Sequence, residues 1–206
     1  MRVIGLTGGI GTGKSTLAAA LAEMGASIVD ADAEGHAAYR PGAPGWRRVA
    51  NLFGLRVIGD AGSINRKALG DVVFNDPDAM RRLNEAVHPL IRARVEERLA
   101  ALRDQGARIA VLHAALLLQA GWDDLVDEVW TVTAPPGAAA ERLAARRGLT
   151  PDEARARIEA QGPQNVFVER ADVIIENDGT SDDLRQKARS LWAERVESEG
   201  TTHDPD

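Results

Sequence analysis

TGGIGTGKST, residues 7–16, follows directly on the apolar run Val3-Ile4-Gly5-Leu6 and decides how the rest of the chain is read. Five glycines lie between Gly5 and Gly13. Glycine has the most conformational freedom to lose on folding, so a cluster this dense between a strand and a helix answers a need other than stability. A backbone without Cβ atoms can approach a ligand closely, and its N–H groups at a helix start suit an anion. Lys14 can neutralise β and γ phosphates, and the Ser15 hydroxyl suits Mg²⁺, a hard cation that keeps most of its waters. The stretch is read as a phosphate cradle for ATP. Gly9, Gly11, Thr12, Gly13, Lys14, Ser15 and Thr16 are its candidate nucleotide contacts, Thr16 also holding the turn, and Ser15 is the candidate metal ligand.

Gly8-x-x-x-x-Gly13-Lys14-Ser15 fits the P-loop pattern, and a strand before with a helix after is the context that pattern requires. Outward from it, Lys14 to Met24 is rich in Ala and Leu with helical spacing through Leu17, Leu21 and Met24, and Gly25 stops the helix. Ser27-Ile28-Val29-Asp30 reads as a second strand. From Ala33 to about Gln105 the pattern is mostly helical, interrupted at Pro41–Gly45 and Gly59–Gly62. Asp76 is expected to cap a helix with Pro77 at its first position, and Pro89 to open another that runs to Gln105. Strands resume at Arg108–Leu112, Glu128–Thr133 and Asp172–Glu176, each short and apolar as in a buried parallel sheet. A helix from Pro135-Pro136 to about Arg147 is followed by a shorter one, to about Gln161, opened by the capping box of Thr150 and Glu153. Ser181 to Glu199 reads as a final amphipathic helix and 201–206 as a disordered tail. Five strands separated by helices predict one α/β domain over 1–200, a five-stranded parallel sheet with helices on both faces.

The bulk figures agree. With 206 residues, 44% hydrophobic and 27% charged, the chain has an ordinary globular composition. No run of eighteen apolar residues exists that could span a bilayer. A formal charge of -6 argues against a broad basic surface for nucleic acid, and zero Cys excludes disulfides and thiolate metal sites. Met1-Arg2 leads straight into a strand pattern rather than a secretory signal. The expectation is a cytoplasmic protein with a small-molecule substrate and neither a nucleic-acid nor a membrane partner; the oligomeric state is left open. Trp46, Trp122, Trp130 and Trp192 are read as core or cover.

Asp30-Ala31-Asp32 sits where the second strand ends, and ligand crevices in open parallel sheets lie at the carboxyl ends of strands. Asp32 is the carboxylate expected to face a transferred phosphate. Asp32-Ala33-Glu34-Gly35 also fits the D-x-x-G of GTPases, but the N-K-x-D tetrapeptide such a protein needs for guanine does not occur.

With these residues in view, the chain resembles the dephospho-coenzyme A kinase family over nearly its whole length, to about Gly179. The matching segments are IGLTGGIGTGKST (4–16), VDAD (29–32), PGAP (41–44), NRKAL (65–69), VF (73–74), LN (83–84), HPLI (88–91) and ADVIIENDG (171–179). The resemblance implies a P-loop kinase fold with a helical coenzyme-binding region at 33–105 and a lid at 138–165. It implies transfer of the ATP γ-phosphate to the ribose 3′-hydroxyl of dephospho-CoA, with Mg²⁺, as the last step of coenzyme A synthesis. Asp32 would orient or deprotonate that hydroxyl, and Arg66 and His88 would contact the substrate. Arg142, with Arg146 or Arg147 beside it, would close over the phosphates. Asn177, Asp178 and Gly179 fall where relatives place the adenine loop. Gln161 and Gln164 resemble the lid's glutamine-containing stretch, although glutamines on a helix are usually solvated.

One stretch departs from the family. Where relatives tend to read D-V-P-L-L-x-E, this chain has His113-Ala114-Ala115-Leu116-Leu117-Leu118-Gln119, which removes two carboxylates. Two alternatives therefore stand beside the leading reading: a P-loop kinase of another small hydroxyl acceptor, and a nucleotide-binding homologue impaired in catalysis by His113 and Gln119.

Overall fold

The computed structural model describes residues 1–162 and 165–197. The readings of Gln164 and of the tail 201–206 lie outside the described residues. In chain order the described elements are β1 (Arg2–Gly8), α1 (Lys14–Glu23), β2 (Ser27–Asp30), α2 (Ala31–Ala38), α3 (Pro44–Phe53), α4 (Arg66–Val73) and α5 (Pro77–Asp104). They continue with β3 (Ile109–His113), β4 (Glu128–Thr133), α6 (Pro136–Arg147), α7 (Pro151–Ala160), α8 (Asn165–Val168), β5 (Val173–Glu176) and α9 (Ser181–Trp192), which runs into a π turn at Ala193–Glu197. The chain divides into two compact units, one of Met1–Val29 with the chain from Leu102 onward, the other of Asp30–Ala101.

The first unit carries a five-stranded parallel sheet in the order β2-β3-β1-β4-β5, with helices around it. β1 is central and pairs in parallel with both β3 and β4, Leu6 standing opposite His113 on one side and Trp130 on the other. Parallel strands need crossover helices, and those helices cover the faces, so β1 is buried from Val3 to Gly8. Ile4 and Leu6 pack on one face with Leu17 and Leu21 of α1, Trp130 and Val132 of β4, and Leu184, Ala188 and Trp192 of α9. Each fully buried Leu contributes roughly 1.5–3 kcal/mol relative to exposure, so α1 is held by its stripe as much as by helix propensity.

Two aspartates set the register of the sheet. Asp127, just before β4, takes the Val3 N–H on its carboxylate at 2.7 Å and donates its own N–H to the Val3 carbonyl at 2.8 Å. Asp172, just before β5, does the same to Val129 at 2.7 and 2.9 Å. The sequence reading put Asp172 inside β5; the structure starts the strand at Val173 because the aspartate side chain substitutes for a ladder partner. β3 likewise runs one residue later than read, from Ile109 to His113.

The second unit is helical. α5 corrects the expectation that Pro89 opens a helix: one helix runs from Pro77 to Asp104 with Pro89 inside it. Its buried stripe, Leu83, Val87, Ile91 and Val95, keeps four-residue spacing straight across the proline, so burial on both sides outweighs the lost hydrogen bond. Arg48 donates to the Ala86 carbonyl at 2.9 Å, next to the Glu85 carbonyl that Pro89 leaves without its helical donor. His88 is consequently a mid-helix residue. At the other end Asp76 caps α5 as expected, accepting from the Asp78 and Ala79 N–H groups.

Candidate functional site

The loop from Gly9 to Gly13 turns β1 into α1, and its shape depends on residues without a Cβ. Gly11 has φ 77, and a Cβ there would stand 2.3 Å from the Ala139 carbonyl oxygen; Gly13 has φ 102, and a Cβ there would stand 2.4 Å from Asn177 Nδ2. Either substitution is strained by its backbone and blocked by its neighbour. Thr12, fully buried, donates its hydroxyl to the Gly9 carbonyl at 2.9 Å and closes the turn. Lys14 Nζ lies over the loop, donating to the Gly8 and Gly9 carbonyls at 2.7 Å each. Thr16 and Leu17 donate their backbone N–H groups to the Gly13 carbonyl, which starts the helix. α1 has no side-chain cap and no acid in its first turn, so its N-terminal field is left to an anion. Ser15 is exposed in that first turn.

A second loop, after β5, supports the first. Asn177 is buried, donates its backbone N–H to the Thr133 carbonyl, and donates Nδ2 to the Thr12 carbonyl at 2.8 Å. Arg142 of α6 donates to the Asn177 and Gly179 carbonyls at 3.0 and 2.8 Å, which brings α6 onto this loop. Lys187 holds the loop from α9, donating to the Glu176 carbonyl and to Asp178, and that bond keeps the Asp178 carboxyl below its usual range. Arg146 and Arg147 are exposed in the last turn of α6.

The stretch 138–165, for which the family resemblance implies a lid, contains most of α6 and all of α7. Ala140, Leu143 and Ala154 form a small core with Ile10 of the glycine loop, Leu149 and Ile158 packed against it. The capping box of Thr150 and Glu153 starts α7 as read, and the Thr150 N–H lowers the Glu153 carboxyl pKa. Gln161, at the end of α7 in the stretch that resembles the family's glutamine-containing one, accepts from the Ile10 N–H on its Oε1 at 2.6 Å.

In the second unit, Asp30 caps α2 by accepting from the Ala33 N–H, which leaves Asp32 exposed in the first turn. Arg66 Nη1 lies within hydrogen-bond distance of His36 Nε2, at 2.7 Å. Glu34 holds Arg94 at 2.7 Å and Arg98 at 3.3 Å. His88 is half-buried, and loss of hydration lowers its pKa.

Residues 2–183 match the family model described as dephospho-CoA kinase. The chain belongs to the dephospho-CoA kinase family. It is 43% identical to the dephospho-CoA kinase of Geobacter sulfurreducens over 195 residues, 95% of this chain and 99% of that one. The crystal structure of TT1252 from Thermus thermophilus superposes with a TM-score of 0.80 at 34% identity, covering 95% of this chain and 98% of that chain. A dephospho-CoA kinase from Campylobacter jejuni gives 0.71 at 26%, covering 97% and 100%. Family membership makes the chain an ATP-dependent kinase of a hydroxyl group, and the alternatives of another acceptor or lost catalysis are not favoured. His113, buried at the end of β3, and Gln119, exposed in the following turn, stand apart in environment although the motif treats them as a pair.

Of the family residues singled out in the sequence, Gly9, Gly11, Thr12, Gly13, Lys14, Ser15, Thr16, Arg142, Asn177 and Gly179 are brought together in the first unit. Asp32, Arg66 and His88 belong to the second. Sequence reasoning missed the bracing role of Asn177 and the bond of Gln161. Polar side chains beside glycines were the visible signal, but partners 151 and 165 positions away leave no local periodicity. Among the described residues no group of three acidic or His side chains is placed to cage a metal. An exposed Ser15 hydroxyl beside a polyphosphate cradle nevertheless fits Mg²⁺, which prefers one or two protein oxygens with phosphate and water for the rest.

Proposed function

We propose that the chain transfers the γ-phosphate of ATP to the ribose 3′-hydroxyl of dephospho-CoA, giving ADP and CoA. The observation that carries the reading is the glycine turn that leaves the start of α1 without a side-chain cap, with Lys14 and Ser15 in its first turn. Phosphoryl transfer needs little covalent chemistry from the protein; positioning and charge supply most of the rate. Backbone N–H groups of 9–15 hold the phosphates, and Lys14 exchanges the Gly8 and Gly9 carbonyls for phosphate oxygens. Mg²⁺, held by Ser15 and the nucleotide, would supply neutralisation of the β and γ oxygens. Arg142 and Arg146 add positive charge from α6, and Asn177 and Gly179 border the adenine.

Asp32 takes or orients the 3′-hydroxyl proton, and Arg66 and His88 contact the acceptor. Asp32 suits the role because Asp30 does the capping, so its carboxylate is not spent on α2. The test is ADP release by the purified chain with and without dephospho-CoA, with the phosphorylated position read by NMR. Release that depends on dephospho-CoA and a 3′-phosphate in the product is expected; ADP release indifferent to dephospho-CoA overturns the reading.

A further inference from the structure

The Ile10 N–H belongs to the cradle, yet it donates to Gln161 Oε1 at 2.6 Å, across 151 positions of sequence. The same oxygen lies 3.5 Å from where a Cβ on Gly9 would stand, so it sits over the Gly9–Ile10 peptide. Gln161 is the last residue before Gly162, whose φ of 87 ends the helical path, and the glutamine side chain turns onto the loop. Ile10 is held from its other end too, its side chain packed against the cluster of Ala140, Leu143 and Ala154 from α6 and α7. A carboxamide oxygen accepts a hydrogen bond as a phosphoryl oxygen does, but without net charge. An N–H bonded to phosphate is charge-assisted and roughly twice as strong.

On the kinase reading above, we propose that Gln161 gates the polyphosphate site: its carboxamide takes the Ile10 N–H in competition with a nucleotide phosphate, and phosphate binding releases the end of α7 from the loop. The competition is selective. A polyphosphate outbids the amide oxygen, whereas a ligand without phosphate has no use for the Ile10 N–H and leaves the gate in place. Gln161 thus lowers the apparent affinity for nucleotide by the fraction of molecules in which the N–H is taken. It also ties the lid's position to occupancy of the cradle.

The test is equilibrium binding of ADP and of adenosine to the full chain and to two variants. Gln161→Ala removes the competitor and is expected to tighten ADP binding by about two- to tenfold, the span of one neutral hydrogen bond, with adenosine unchanged. Gln161→Glu places a carboxylate over the same N–H, beside the Gly9 carbonyl that Lys14 holds, and is expected to weaken ADP by about tenfold or more, again sparing adenosine. Weaker or unchanged ADP binding in Gln161→Ala overturns the gate. If that variant does not fold, Gln161→Glu decides alone, and unchanged ADP affinity there overturns it equally. No turnover is involved, so a failure of the kinase reading shows in the ADP-release assay and a failure of the gate shows here.

Discussion

Asn177 Nδ2 donates to the Thr12 carbonyl at 2.8 Å, joining the loop after the last strand to the glycine turn after the first. The donor is buried and the acceptor belongs to a fully buried residue, so neither group has water as an easy substitute. Asn177→Ala is expected to destabilise the protein by about 1–3 kcal/mol, the range for leaving a buried polar group unsatisfied. Asn177→Asp should cost at least as much, since a carboxylate sets oxygen against oxygen. Urea midpoints rank the two, and a stability equal to the parent in Asn177→Asp would mean the carbonyl finds another donor.

Lys14→Ala should leave the fold intact and abolish phosphoryl transfer. The side chain bonds two loop carbonyls and belongs to no apolar cluster, so its removal touches the cradle rather than the core. No other cation is placed over the Gly8 and Gly9 carbonyls among the described contacts, so the lysine's share in matching the charge on the β and γ phosphates is not replaced. Circular dichroism checks the first half of the expectation and ADP release the second.

Asp32→Asn is expected to lower kcat by about 10² to 10⁴, the usual worth of a positioned acid or base. The residue is exposed in the first turn of α2, where a negative charge favours the helix by only about 0.3–1 kcal/mol. Stability should therefore hardly move. A change confined to ATP affinity would transfer Asp32 to a binding role.

How much of this was legible depended on the range of the interaction. β4 was read with its observed bounds, 128–133, because an apolar run between polar turns states its own limits. The capping box of Thr150 and Glu153 was equally plain, since both halves lie within one turn. Pro89 misled for the same reason: its local signal says helix start, and only the stripe from Leu83 to Val95, which is a tertiary fact, overrides it. The glycine cradle was visible as chemistry, and Asn177 and Gln161 were picked out by resemblance, whereas the long-range bonds by which they brace the loop were not legible.

Acid should loosen α7 and α9 at their starts. Glu153 and Asp183 each accept from the backbone N–H and hydroxyl of their cap threonine, and the backbone bond is the main cause of their lowered pKa values. A carboxyl whose folded pKa lies below its unfolded one binds fewer protons when folded. Its contribution is complete above the unfolded value and is lost as pH falls through the folded one. Helicity followed by circular dichroism is expected to decline from about pH 4 downward, the ordinary range for carboxyl groups. In Glu153→Gln with Asp183→Asn that decline should flatten, because the variant caps no longer titrate; an unchanged curve would place the acid sensitivity elsewhere.

At the other end of the sheet, away from the cradle, three elements meet on one carboxylate. Glu128 has a side chain only 7% exposed, and it accepts from Arg2 at 2.6 Å and from Arg195 at 2.8 Å. Arg2 also donates to the Arg195 carbonyl at 2.5 Å, so the first strand, β4 and the π turn after α9 meet on one carboxylate. Either arginine alone can still match the Glu128 charge, so Arg2→Ala and Arg195→Ala should each cost about 0.5–1.5 kcal/mol, near the worth of one hydrogen bond. Removing both leaves a largely buried carboxylate without a countercharge, a situation that costs about 3–5 kcal/mol. The double variant should therefore lose more than the sum of the singles, with a coupling of about 1 kcal/mol or more. Chemical denaturation of the parent, the two singles and the double closes the cycle. Strict additivity would show that water reaches Glu128 once the arginines are gone. Restoration of the double variant's stability by Glu128→Met, which removes the buried charge itself, would confirm that desolvation of the carboxylate, rather than loss of the arginine stems, is the source of the penalty.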